Sequence, residues 1–261
     1  MKILFIGDIV ARLGRNTVKK VLPGLIKGDN INLVIANAEN LAHGRGATEG
    51  TINETIGYGV NAFTGGDHIF HLKEFEFYIE KLPVIRPANF FEPCPGVGYK
   101  KIEVIGIKPI LIVNLQGDTF ARPNVKNPFH TIDQVLEEFN KSDLSGIIVD
   151  IHGDLTSEKV AMGHYLDGRV SAVVGTHTHI PTADNRVSAK GTAYVTDVGM
   201  VGAQNSILGV EKSIIIERFL SSTRKKFEWV ESGPALFNSV LIDINENTAK
   251  AKNIERRDFE V

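Results

Sequence analysis

The chain has 261 residues, of which 43% are hydrophobic and 23% charged, and its formal net charge at neutral pH is -2. This composition is typical of a soluble globular protein and argues against a chain that is disordered throughout. The balanced charge argues against broad electrostatic binding to nucleic acid. A small phosphorylated substrate remains possible, because a bound metal ion adds positive charge that this count omits.

Cysteine content and apolar segments together indicate a cytoplasmic protein. Cys94 is the single cysteine, so the chain can form neither an internal disulfide nor a thiolate metal cluster. The apolar residues 1–6 are too few for the core of a signal peptide. No apolar run approaches the ~20 residues that a membrane-spanning helix needs. We therefore expect no association with a membrane.

The first part of the chain alternates between strand and helix patterns, which predicts an α/β fold with a largely parallel sheet. The pattern predicts strands at residues 2–6, 32–36 and near 61–64, and a helix at 16–26. A glycine-rich loop follows the second strand at residues 44–46, and Thr48 is a suitable N-cap for the next helix. The loop could cradle a phosphate, or it could be only a tight turn.

The remainder of the chain is richer in strand patterns. Two strands are predicted around a turn at Lys108-Pro109, and others at residues 146–150, 170–174, 192–198, 213–219 and 239–245. Helices are predicted at residues 131–141 and from Thr156 to near Gly168. We expect a single domain over residues 1–261, with two stacked sheets and helices outside them. The strand-rich last third could cover a face of its own subunit or pair with another subunit as a homo-oligomer.

Side chains of the kinds that bind metals follow the ends of five predicted strands. They are Asp8, Glu39, Asp67, His152 and the pair His177 and His179. In α/β sheets, ligands bind outside the carboxyl ends of the strands, so these side chains should meet at one edge. Carboxylates and imidazoles together suit Mn, Fe or Zn better than Mg or Ca. There are too many for one ion, which predicts two ions that share a carboxylate, as in two-metal hydrolases.

Any one of these residues alone would be weak evidence, since a strand-end aspartate is more often a cap or turn residue. The prediction rests on the occurrence of metal-binding side chains after five separate strands. His68 follows Asp67 directly, and we interpret it as the general acid for the leaving oxygen or as a donor to the phosphoryl group, because imidazole transfers protons near neutral pH. The remaining histidines are interpreted as surface or packing residues: His43, His71, His130 and His164.

Long motifs follow one another in a fixed order between residue 3 and about residue 210. They are Gly7-Asp8-Ile9-Val10 through Gly14-Arg15, NAEN at 37–40, Gly44-x-Gly46-x-Thr48, Asp67-His68, RPANF at 86–90, VDIHGDLTSEK at 149–159, GTHTHIPTAD at 175–184 and TDVGMVG at 196–202. In these motifs the chain resembles the YmdB-like branch of the calcineurin-type metallophosphoesterases. The resemblance implies a four-layer αββα sandwich of two mixed sheets.

The resemblance also implies a dinuclear centre, with iron as the expected metal and manganese as the alternative. The first ion would be held by Asp8, Glu39, Asn40 and His179, and the second by Glu39, Asp67, His152 and His177. Common metallophosphoesterases have a histidine two residues after the first aspartate. Here that position is Val10, and Asn40 replaces the missing ligand, which is characteristic of this branch.

The activity that the resemblance implies is hydrolysis of small phosphodiesters, such as 2',3'-cyclic nucleotides, by metal-activated water with His68 as general acid. The chain departs from the branch at Asp67, where an asparagine is usual, at His71, where an aspartate is usual, and at Ala11, where a glycine is usual. The extra carboxylate should bind cations more tightly and acidify water less.

Two alternatives remain open beside the phosphodiesterase. A metal- and nucleotide-binding regulatory protein with little turnover would also fit, because Asp67 could preserve binding while slowing the chemistry. A phosphomonoesterase would need further cations for a dianionic ester, and Arg45 is the loop candidate.

Overall fold

The computed structural model describes residues 1–118, 125–221 and 225–261. In these ranges the α-helices are α1 (Ala11–Asp29), α2 (Glu49–Ile56), α3 (Pro128–Glu137), α4 (Thr156–Tyr165) and α5 (Lys212–Ser221). The strands are β1 (Lys2–Ile9), β2 (Leu33–Asn37), β3 (Ala62–Thr64), β4 (Val84–Ile85), β5 (Tyr99–Ile102), β6 (Ile110–Gln116), β7 (Gly146–His152), β8 (Ala172–Thr176), β9 (Arg186–Val187), β10 (Ala193–Val195), β11 (Met200–Ala203), β12 (Ala235–Phe237), β13 (Ser239–Asn245), β14 (Lys250–Arg256) and β15 (Phe259–Glu260). Short 3-10 helices lie at Lys73–Phe77, Ile79–Lys81 and Lys141–Asp143.

The first sheet is built around β1. On one side β1 is followed by β2, β3 and β4, and all three pairings are parallel. On its other side, β1 pairs antiparallel with β13 over residues 2–6 and then parallel with β11 at Asp8 and Ile9. The sheet continues through β12 to β15 beyond β11, and β14 pairs with β13. The first strand of the chain is thus held by one of the last.

The second sheet has the strand order β5-β6-β7-β8-β10-β9. The central pairings of β6 with β7, β7 with β8 and β8 with β10 are parallel. The two outer strands, β5 and β9, are antiparallel to their neighbours. Both sheets are therefore mixed, and the carboxyl ends of several parallel strands in each sheet point the same way along it.

Three hydrophobic clusters separate the layers, because alternate residues of a strand face opposite sides of its sheet. Leu4 and Ile6 of β1 pack with residues of α1 and α2, whereas Ile3 and Phe5 pack against the second sheet. The third cluster lies between the far side of the second sheet and helices α3 and α4. The predicted α/β fold, a four-layer αββα arrangement with two mixed sheets, is confirmed.

Helix α5 corrects one expectation. Three consecutive isoleucines predict a strand at residues 213–219. These residues instead form most of α5. Ile215, Arg218 and Phe219 have the helical spacing i, i+3 and i+4, and all three line one cavity. The residues of this segment that line the cavity therefore recur with the period of a helix. In the described ranges, none of the helices is both long and apolar enough to cross a membrane.

Candidate metal centre

The predicted site residues gather where strand ends of the two sheets meet. Asp8 lies within β1, which extends to Ile9, so it is a strand residue and does not follow the strand. His152 is the last residue of β7. The other residues occupy loops that directly follow β2, β3 and β8, namely Glu39, Asn40, Asp67, His68, His177 and His179. Each sheet therefore supplies part of the site.

Four residues come close enough together to hold a metal ion. One ligand atom from each of Glu39, Asp67, His152 and His177 lies within 4.8 Å of the others. Glu39 Oε1 is 3.0 Å from His152 Nε2 and 3.8 Å from His177 Nδ1. Asp67 Oδ1 is 3.7 Å from His152 Nε2 and 3.8 Å from His177 Nδ1. The nitrogen and oxygen atoms of this group converge on one point between the two sheets.

A second group adjoins the first through Asn40. Its Nδ2 lies 3.3 Å from Asp8 Oδ1, 3.2 Å from Glu39 Oε1 and 3.1 Å from His179 Nε2. Rotation of the amide would present its oxygen, which is the atom that a metal prefers. Asp8 also accepts a hydrogen bond from the His177 backbone at 3.1 Å. Asp8, Asn40 and His179 are all buried.

His68 lies at the edge of the two groups. Its Nδ1 is 3.4 Å from Glu39 Oε1, its Nε2 is 3.6 Å from Asp67 Oδ2, and its backbone amide donates to Glu39 Oε2 at 3.1 Å. It also lines a cavity of about 390 Å³, together with His177 and His179. This volume is within the range of small-molecule sites. His68 can therefore contact both the carboxylates and a molecule in the cavity.

Charge interactions within the group favour ionised carboxylates. Burial raises the pKa of Glu39, but the charge of His152 and hydrogen bonds from His152, His177 and His68 outweigh it and hold that pKa well below its usual value. Burial likewise lowers the pKa of His152, but Glu39 and Asp67 raise it well above the usual value. Because metal ligands bind in deprotonated form, a cation would replace protons that these imidazoles hold.

The donor set and the backbone around it fit a transition metal. Carboxylate oxygens with imidazole nitrogens are suited to Mn, Fe or Zn. The backbone of Gly66 packs so closely that a Cβ at this position would lie 2.1 Å from Glu39 Oε2 and 2.5 Å from His152 Nε2. Only glycine allows the loop after β3 to bring Asp67 and His68 this near the other donors.

Further residues, which were not predicted from the sequence, orient these side chains. Asp154 Oδ1 lies 2.7 Å from His177 Nε2, on the side of the ring opposite Nδ1. The Leu208 carbonyl is 3.2 Å from His179 Nδ1. Contacts of this kind, made to the ring nitrogen that does not bind the metal, fix the ring orientation of metal-binding histidines. The available signal was the position of Asp154, two residues after His152 in the motif at 149–159.

A buried polar network supports His152 from behind. His152 Nδ1 lies 2.8 Å from Thr176 Oγ1, which donates to Asp150 Oδ1 at 2.7 Å. Asp150 also accepts from Thr64 at 2.5 Å, so the network joins the two sheets. Burial raises the pKa of Asp150 to about 6, although the charge of His152 and the hydrogen bonds from both threonines act against this rise.

The glycine-rich loop at residues 44–46 has the properties of a tight turn. Gly44 and Gly46 both have a φ of 76°, in the left-handed region. The amides of Arg45 and Gly46 donate to the carbonyls of Ala42 and Glu39, so neither amide is available to a phosphate. The four histidines interpreted as surface or packing residues are all exposed: His43, His71, His130 and His164.

The chain is similar to known proteins over most of its length. A family model described as "YmdB-like protein" matches residues 4–257. The chain is 45% identical over 257 residues to the 2',3'-cyclic-nucleotide 2'-phosphodiesterase of Bacillus subtilis. That match covers 98% of this chain and 96% of the relative.

Two solved structures have the same fold over the whole chain. A phosphatase from Mycoplasma pneumoniae is 33% identical with a TM-score of 0.94, covering 100% of this chain and 93% of that one. A hypothetical protein from Thermus thermophilus is 37% identical with a TM-score of 0.92, covering 100% and 99%. The names of the Bacillus and Mycoplasma relatives confirm the predicted enzyme class, a metallophosphoesterase. The chain belongs to the YmdB-like family.

Proposed function

We propose that the protein is a metal-dependent phosphodiesterase that hydrolyses small phosphodiesters such as 2',3'-cyclic nucleotides. The observation that carries the proposal is the convergence of Glu39, Asp67, His152 and His177 beside a cavity of nucleotide-compatible size. The name of the Bacillus relative supports the substrate class. A cytoplasmic location, a single domain and a possible homo-oligomer remain predictions.

We propose a dinuclear centre because the ligand candidates fall into two groups that share one carboxylate. Asp8, Asn40 and His179 form one group, and Asp67, His152 and His177 form the other. Glu39 Oε1 lies 3.2 Å from Asn40 Nδ2 in the first group and 3.0 Å from His152 Nε2 in the second. These two distances support Glu39 as the carboxylate that would hold both ions. Iron is the proposed metal, with manganese as the alternative.

Bound ions would supply Lewis acidity toward the phosphoryl group and would lower the pKa of a coordinated water. The chain's own residues do the rest. His68 lines the cavity within 3.4 Å of Glu39, so it can donate a proton to the leaving oxygen of a diester bound there. Ile207, Leu208 and Val210 line the same cavity and can contact the apolar parts of a bound substrate.

A regulatory protein with little turnover is the second candidate, and Asp67 is the observation that favours it. Its carboxylate joins those of Glu39 and Asp8, so three negative charges would face the two cations. The effect would be firm metal and nucleotide binding with a less acidified water. Turnover at saturating metal separates this candidate from an efficient phosphodiesterase.

The test is an assay of purified protein with a 2',3'-cyclic nucleotide, a chromogenic phosphodiester and a chromogenic phosphomonoester. We expect chelation to abolish diester hydrolysis and added Mn or Fe to restore it. His68→Ala should lower kcat by about 10²–10⁴-fold, the usual contribution of a positioned general acid, with metal content unchanged. His164→Ala, on the exposed face of α4, serves as the control. Absence of metal-dependent turnover, or full activity of His68→Ala, would refute the proposal.

A further inference from the structure

A second cavity, which we name the basic cleft, adjoins the cavity beside the metal centre. The basic cleft has a volume of about 540 Å³ and is lined by residues that include Arg45, Arg218, Lys225, Lys226, Phe227 and Trp229. Four of these residues, Arg45, Arg218, Phe227 and Trp229, also line the cavity that contains His68. The two cavities are therefore neighbours with a common wall, and a ligand longer than one nucleotide could occupy both.

The basic cleft carries a concentration of positive charge that is unusual for a chain with a net charge of -2. Its lining contains two arginines, two lysines and two histidines, and no carboxylate among the described residues. Lys225 pairs with Glu217. Within the described ranges, Arg45, Arg218 and Lys226 form no ion pair with a carboxylate. Cations gathered without counter-charge in a concave surface attract anionic ligands.

Two aromatic side chains, those of Phe227 and Trp229, line both cavities together with the two arginines. The guanidinium carbon atoms of Arg45 and Arg218 are 5.1 Å and 5.4 Å from the centre of the Phe227 ring. Trp229 packs tightly on the glycine-rich loop, since a Cβ at Gly44 would lie 2.1 Å from the indole. Arginine planes and aromatic rings arranged in this way are the usual surface on which nucleobases stack.

The composition of the joined cavities has a chemical meaning. The candidate metal ligands line only the cavity beside the metal centre, the shared arginines and aromatic side chains line both cavities, and the lysines line only the basic cleft. A nucleotide at the end of an RNA chain has its 2',3'-phosphodiester on one side of the ribose, a base that can stack, and the next phosphate on the 5' side. We infer that the site takes the end of an RNA chain, with a terminal 2',3'-cyclic phosphate at the metal centre and the preceding phosphates at Arg45 and Arg218. The inference rests on the proposed phosphodiesterase function.

A second phosphate could belong either to a mononucleotide with a 5'-phosphate or to the next link of a chain. We assign the chain because the basic cleft is larger than the cavity at the metal centre, at about 540 Å³ against 390 Å³. Lys226 lines only the basic cleft and has no carboxylate partner within the described ranges. A single phosphate at Arg45 and Arg218 would leave the charge of Lys226 without a counter-charge.

The experiment compares three substrates: a 2',3'-cyclic mononucleotide, its 5'-phosphorylated form, and a tetranucleotide RNA with a terminal 2',3'-cyclic phosphate. We expect kcat/KM for the tetranucleotide to be about tenfold higher than for the cyclic mononucleotide, mainly through a lower KM, as expected for one or two stacked bases. The advantage should shrink as salt rises, because phosphate contacts release counterions. The 5'-phosphorylated mononucleotide should gain less.

Arg218→Gln is the variant that tests the basic cleft. It should lower kcat/KM for the tetranucleotide roughly fivefold more than it lowers kcat/KM for a chromogenic diester, since only the RNA brings a second phosphate to Arg218. Lys212→Gln is the matched control, because Lys212 is on the same helix and lines neither cavity. Equal kcat/KM values for all three substrates would overturn the inference while leaving the phosphodiesterase proposal intact.

Two further outcomes are distinguishable. An equal gain for the 5'-phosphorylated mononucleotide and the tetranucleotide would overturn the assignment to an RNA chain, because one extra phosphate would account for the effect. If wild type hydrolyses no diester at all, the proposed function fails. The cleft is then tested by fluorescence anisotropy with a labelled tetranucleotide 3'-phosphate. Equal binding by wild type and Arg218→Gln would refute the cleft as well.

Discussion

Asp67 places a carboxylate where proteins of the YmdB-like branch usually have an amide. Burial raises the pKa of Asp67 and Glu39 raises it further, but a hydrogen bond from His152 and the charges of His68 and His152 leave it below the usual value. The side chain is therefore ionised. Together with Asp8 and Glu39, it gives the proposed centre three negative charges, which favours cation binding and weakens the pull of the cations on water.

Asp67→Asn should therefore change metal affinity and turnover in opposite directions. We expect metal affinity to fall by roughly tenfold, since a charge at about 4 Å is worth about 1–4 kcal/mol. We expect kcat at saturating metal to rise, because the cations would polarise water more strongly. Metal titration and diester hydrolysis measure the two effects. Asp143→Asn, which removes an exposed charge elsewhere, is the control. A lower kcat at saturating metal would show that Asp67 is an adapted catalytic ligand.

The pair His177 and His179 lies past a strand end, as predicted, but the orientation of the two rings was not predictable. Placement after a strand brings both residues to the edge of the sheet without fixing where their side chains point. In the structure, β8 ends at Thr176, and the two histidines lie beyond it with φ values of 99° and 65°. Left-handed backbone in non-glycine residues is costly and is concentrated at functional sites. The loop conformation directs both rings inward, and a residue pattern alone contains no information about it.

At the scale of elements, helix α1 depends on a close approach to the first sheet. A Cβ at Gly14 would lie 2.4 Å from the Val201 carbonyl oxygen of β11. Gly24, in the same helix, faces solvent, and a Cβ there would meet nothing within 4 Å. The effect of replacing glycine by alanine can therefore be compared at a packed position and at an open position of one helix.

Gly14→Ala should destabilise the protein by about 1–3 kcal/mol, because the added methyl group forces α1 away from β11. Gly24→Ala should stabilise it by about 0.5–1 kcal/mol, because alanine loses less backbone entropy in a helix. Denaturant unfolding measures both free energies. Equal effects of the two substitutions would show that the packing of α1 on β11 is looser than the structure indicates.

The strands of the two sheets were largely predictable, whereas α5 was not. The predictions at residues 2–6 and 146–150 lie within strands, and the prediction at 32–36 begins one residue before β2, because buried parallel strands are short, continuous apolar runs. The run at 213–219 has the same appearance but forms a helix, in which Ile215 and Phe219 line a cavity and no residue is buried in a core. Thr48 is the N-cap of α2, as predicted, and its hydroxyl accepts from the Thr51 amide. The network behind His152 was not predictable, because it joins Asp150 to Thr64 in the other sheet.

At the scale of the whole molecule, the strand that carries Asp8 depends on residues far along the chain. Residues 2–6 of β1 pair with β13 in antiparallel register, with Leu4 opposite Leu241. Val240 and Ile242 of β13 are fully buried in the core between the sheets. Strand β13 therefore both supports the strand that carries Asp8 and forms part of the core between the two sheets.

A chain that ends at Asn238 should not fold cooperatively, because it lacks β13 and leaves the edge of β1 and the core between the sheets uncovered. A chain that ends at Asp258 should keep a cooperative thermal transition, because it loses only β15, a two-residue strand at the sheet edge. Soluble yield and circular dichroism during heating compare the two. Cooperative unfolding of the shorter chain would contradict the assigned role of β13.

The pairing of β1 with β13 also has a consequence for synthesis on the ribosome. β1 emerges first, but its partner follows more than 200 residues later, a delay of about 10–50 s at roughly 5–20 residues per second. During that time one edge of β1 has no partner, and its apolar residues lack the strand that covers them. Exposed edges of this kind promote aggregation. The nascent chain should therefore be a better target for chaperones than the released protein, and metal incorporation should follow release.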